Sequence, residues 1–78
     1  MTLQELINST PLIRRTWAEH ALQLARSARC SGLMLELLTN IANEEKHADP
    51  EHPESLWEHF QDTLGAFINE FGHQITLT

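Results

Sequence analysis

The sequence predicts an all-α fold, a small helical bundle of three principal helices plus a short N-terminal one. Three observations lead there. Trp57, Phe60, Leu64, Phe67 and Phe71 recur at intervals of 3, 4, 3 and 4 residues, which draws one apolar seam down a helix, widened by Leu56, Ile68 and Ile75. The run from Leu33 to Ala42 is apolar around more than half of a helical circumference. Capping residues stand where each periodic run begins. Four of the five aromatics lie in the seam, so the remaining helices are expected to form the groove that receives it.

Thr2-Leu3-Gln4-Glu5 reads as a capping box, and Leu3, Leu6 and Ile7 give a short apolar face. A helix over about 3–8 follows, stopped by Asn8, Ser9 and Thr10. Thr10 then caps a second helix with Pro11 in its first position, expected to run to about Arg29. Ile13, Trp17, His20, Ala21, Leu24 and Ala28 share one side of it. Arg15, Ala18, Leu22, Arg26 and Arg29 share the other, so three arginines frame a leucine, a pattern that suits an interface as well as a solvated face. Cys30-Ser31-Gly32 is read as the break, with Ser31 capping a third helix over about 32–47. Its polar arc is confined to Glu36, Thr39, Asn40 and Asn43, so it is expected to be central and touched on two sides. Ala48 to Pro53 is a charged, proline-bearing connection. The fourth helix starts there, capped by His52-Pro53 or by Ser55, and Ser55 with Glu58 matches a second capping box. Gly65 falls inside it, away from the seam, at a cost of about 1 kcal/mol relative to Ala. Gly72 is a natural stop, and 73–78 form a tail.

Seventy-eight residues allow one domain, 1–78. A chain this short buries only about 60% of its unfolded surface, so a partner or a second copy would relieve a marginal core. One cysteine, Cys30, permits no internal disulfide and agrees with a reducing compartment. No signal-peptide pattern opens the chain, and its longest apolar-rich run is far short of the roughly 20 residues a membrane span needs. A soluble, cytoplasmic protein is expected.

The net charge of −6 is unevenly spread. Residues 1–43 carry four arginines against three acids, whereas residues 44–78 carry eight acids against Lys46 alone. Such a chain is not expected to bind nucleic acid or anionic membranes directly. Leu24 to Ile41 does fit a helix-turn-helix spacing, but a DNA reader would present cations or amides on the outer arc of its second helix. Here that arc is Glu36, Thr39, Asn40 and Asn43, without a cation.

No catalytic constellation converges. Cys30 and His20 are ten residues apart, about 15 Å along one helix axis. Two Glu-x-x-His pairs, Glu44 with His47 and Glu70 with His73, resemble half-sites of di-iron bundles, but both lie at the C-terminal ends of their helices. His47, Asp49, His52 and His59 match no zinc spacing. No enzyme activity, cofactor or metal is therefore expected. The favoured reading is a small acidic regulator or inhibitor that acts by binding another protein with a basic surface. Its expected partner-binding residues are Glu44, Glu45, Asp49, Glu51, Glu54, Glu58 and Asp62, and its second candidate interface is Arg15, Leu22, Arg26 and Arg29. A nucleic-acid mimic occupying a DNA- or RNA-binding groove is the alternative, and a helix-turn-helix regulator the one after it. Surplus apolar helix surface, on the Leu35 and Ala42 side of the third helix or around Leu22, predicts a homodimer.

Overall fold

The computed structural model describes residues 2–46 and 56–75, and among these the chain is helical with no strand. Its helices are α1 (Leu3–Ile7), α2 (Pro11–Ser27), α3 (Gly32–Lys46), α4 (Leu56–His59) and α5 (Gln61–Phe71), the last followed by a 3-10 turn over Gly72–Gln74.

The local start signals act as the sequence predicts. The Glu5 N–H donates to Thr2 Oγ1 at 3.2 Å, the Ile13 N–H to Thr10 Oγ1 at 3.3 Å, and the Met34 N–H to Ser31 Oγ at 3.3 Å. Each bond satisfies a donor that the first turn of a helix leaves open. The Ser55 cap lies outside the described residues.

The end of α2 differs from the expectation. The helix stops at Ser27, and the chain reverses on Arg29, whose φ is 57°. The Cys30 N–H donates to Ala25 O and the Arg29 N–H to Arg26 O, the paired bonds of a Schellman ending with an arginine in the left-handed position that glycine usually fills. Gly32, read from sequence as part of the break, is instead the first residue of α3, and its φ is not positive.

The turn at 28–31 folds α3 back along α2 as a helical hairpin. The inward stripe of α2 is Trp17, Ala18, Ala21 and Ala25, all buried, with Leu22 packed beside them. Three alanines on one stripe let the α3 backbone approach closely, and Leu37, Leu38 and Ile41 fill the contact. Two expected faces are thereby corrected. Ala18 and Leu22 turn inward, so the arginines they were grouped with do not frame an open leucine. Leu35 and Ala42 also pack against the core, so the second side of α3 is covered in part by its own chain.

The aromatic seam closes this hairpin. Trp17 meets Trp57 at 5.3 Å between ring centroids and Phe67 edge-on at 6.0 Å, and Phe71 stacks beyond Phe67 at 5.1 Å. Trp57, Leu64 and Phe67 are buried, while Leu56, Ile68, Phe71 and Ile75 pack at the margin. Phe60, expected in the same line, is 37% exposed. The cause is a bend: Phe60 adopts φ −110° and ψ 31° between α4 and α5, which rotates it out of register with the buried residues. The Phe60 N–H still donates to Leu56 O and the Leu64 N–H to Phe60 O, so the helical path bends without losing these two bonds. Against the other side of α5 lies α1, where Leu3 Cδ2 is 4.0 Å from the position a Cβ would take on Gly65.

Candidate functional site

The acidic half does not form one continuous surface. Glu45 is only 8% exposed, and its Oε1 accepts from Arg14 Nε at 2.7 Å. The same arginine donates through Nη1 to the carbonyls of Ile7 and Ser9. One guanidinium therefore joins the α1–α2 turn to the C-terminal part of α3, using the several donors of its planar fork. A buried carboxylate held in this way cannot face a partner, so Glu45 leaves the expected binding set. Glu44 is also engaged internally: its Oε2 accepts the Leu56 N–H at 3.1 Å, giving the start of α4 an acceptor from α3. Asp49, Glu51 and Glu54 lie outside the described residues. Glu58 and Asp62 are exposed. In the second candidate set, Arg26 and Arg29 are exposed and Arg15 is half-buried, with Nε 3.9 Å from Glu19 Oε1, a surface pair that contributes little.

What the helices do enclose is an apolar groove between α3 and the α4–α5 arm. A cavity of about 530 Å³ is lined by Ser31, Leu33, Met34, Glu36, Leu37, Asn40, Leu56, Phe60 and Thr63. A second cavity of about 430 Å³ continues it between Cys30, Met34, Thr63, Ala66, Phe67, Glu70 and Phe71. The two share Ser31, Met34 and Thr63 in their walls, so they adjoin on the same side of the molecule and are taken together as one trough. Leu33, at its edge, is 80% exposed. The bend at Phe60 builds this feature, because it places a phenyl ring in the wall instead of the core. The Glu44–Leu56 bond ties α4 to α3 near one end. The arc that a helix-turn-helix would use to read bases is in part the groove's wall, through Glu36 and Asn40.

Sequence reasoning missed Arg14, whose role depends on a residue 31 positions away, and it missed the groove role of Phe60 and Leu33, whose periodicity matches that of core residues. A smaller cavity of about 190 Å³ lies beside the Arg14–Glu45 pair, lined also by Ile7, Trp57 and Glu58. The Trp57 indole N–H is buried without an acceptor among the described residues. Also among the described residues, no three of His, Cys, Asp and Glu come together as metal ligands would. Glu44 of the first Glu-x-x-His pair is turned to the Leu56 N–H, and both members of the second pair, Glu70 and His73, are exposed. No helix among the described residues is long and apolar enough to cross a membrane.

No protein family, curated protein or solved structure matches this chain.

Proposed function

We propose that this chain is a small non-enzymatic regulator that acts in the cytoplasm by binding another protein, with the α3–α5 groove as its contact surface. The observation that supports this most is the coexistence of a closed aromatic core with an open apolar trough carrying exposed Leu33 and Phe60. In a chain of 78 residues, leaving Leu33 80% exposed gives up most of a burial worth about 1.5–3 kcal/mol, and Phe60, 37% exposed, gives up a smaller share; exposed apolar side chains that line a groove together suit an interaction site. The exposed acids Glu58 and Asp62 remain candidates for a second, electrostatic part of the contact, favouring a partner with a basic surface. Self-association through Leu22, Leu35 or Ala42 is less favoured, since these side chains are already partly packed against the core of their own chain.

The test is affinity capture from the source cells with three forms of the bait. Leu33→Gln combined with Phe60→Ser should abolish capture of a specific protein, whereas Leu12→Gln, at another exposed leucine outside the groove, should not. Capture that survives the groove variant and is lost with Glu58→Gln and Asp62→Asn would move the interface to the acidic surface. Capture unaffected by either set would overturn the reading.

A further inference from the structure

We infer that the groove takes a basic amphipathic helix: a partner segment of about three turns with apolar anchors on one face and Lys or Arg beside them. This rests on the protein-binding reading above and adds the chemistry of the occupant. The trough runs beside α5, whose 11 residues are about 16 Å long at 1.5 Å per residue. A helix laid along it offers anchors at i, i+3, i+4 and i+7, the spacing used when a helix docks in an apolar groove. Met34 stands at the middle, common to both cavities, and its flexible thioether chain adapts to anchors of different shape. The charged residues lining the trough are Glu36 on the α3 side and Glu70 on the α5 side, both exposed. No Lys, Arg or His lines it among the described residues, and Arg29, next to Cys30 in sequence, is not in the lining. Cations flanking the anchors match this rim. A second copy of the chain matches it less well, because a two-fold pairing through this face would bring Glu36 and Glu70 of each copy into one interface of two chains that each carry −6.

The probes are two synthetic 14-residue helical peptides with leucine at the four anchor positions, one with lysine and one with glutamate elsewhere, followed by fluorescence anisotropy against the whole chain. The lysine peptide should bind at least about tenfold more tightly than the glutamate peptide, a difference of ~1.4 kcal/mol. Its affinity should fall as salt rises toward about 0.15 M, where the screening length is near 8 Å. Leu33→Gln should weaken it by about tenfold, Glu36→Gln with Glu70→Gln should flatten the salt dependence, and Leu12→Gln should change neither. Equal binding of both peptides, equal effects of Leu33→Gln and Leu12→Gln, or no binding of the lysine peptide would overturn the inference. So would a dimer in light scattering that Leu33→Gln dissociates, since the occupant would then be a second copy. Capture of a partner that needs Leu33 and Phe60, together with failure of the lysine peptide, would leave the protein-binding reading standing and remove only this occupant.

Discussion

Arg14→Ala should destabilise the protein more than Glu45→Gln, which neutralises the partner acid but keeps its acceptor oxygen. Arg14→Ala leaves the Glu45 carboxylate, whose side chain is 5% exposed, without its 2.7 Å partner. Breaking a buried pair from one side costs about 3–5 kcal/mol, since the remaining charge is uncompensated. The same substitution also takes the Nη1 donor from the Ile7 and Ser9 carbonyls and so loosens the turn between α1 and α2. Glu45→Gln is milder, because the amide oxygen still accepts from Arg14 Nε and the two carbonyl contacts persist. Loss of the charge-assisted part of one bond costs about 1–2 kcal/mol. A domain of this size has a total stability of about 4–12 kcal/mol, and each kcal/mol moves the melting temperature by about 4–8 °C. Arg14→Ala should therefore melt at least about 12 °C below the parent in circular dichroism, if it folds at room temperature at all. The double variant Arg14→Met with Glu45→Leu should recover much of the loss, since apolar side chains of similar volume replace both charges. An Arg14→Ala protein melting within a few degrees of the parent, or a double variant less stable than Arg14→Ala, would refute the reasoning.

Three further outcomes follow from the geometry. Phe67→Ala should cost about 3–5 kcal/mol in urea unfolding, the range for a buried aromatic, while Phe60→Ala should cost less than half of that, because Phe60 stands in the groove wall and not in the core. Arg29→Gly should raise the melting temperature, since a left-handed φ of 57° costs an L-residue about 1–2 kcal/mol that glycine avoids, and Gly65→Ala should add up to about 1 kcal/mol, as its Cβ would meet only Leu3 Cδ2 at an ordinary 4.0 Å. Glu44→Ala should speed amide hydrogen exchange at Leu56 more than at Leu38, because it removes the acceptor of the Leu56 N–H without opening the core.

The helices and their starts were legible in the sequence because the interactions that make them are local. Thr2, Thr10 and Ser31 each accept from a backbone N–H three residues onward, so a cap is written within a few adjacent residues. The apolar periodicities that place Trp17, Leu64 and Phe67 in the interior are local in the same sense. Tertiary structure decided the rest. Glu45 and Asp62 look alike in a row of acids, yet one is buried on an arginine 31 residues away and the other is in solvent. Phe60 and Phe67 occupy equivalent positions of one seam, yet a bend at Phe60 sends it to the groove. Leu22 sits among arginines in a helical projection, but the closeness of α3, admitted by Ala18, Ala21 and Ala25, turns it inward. A helix is specified by hydrogen bonds spanning three or four residues, whereas the side that each residue shows to water depends on the shapes of all the elements packed around it, and no single stretch of the chain carries that information.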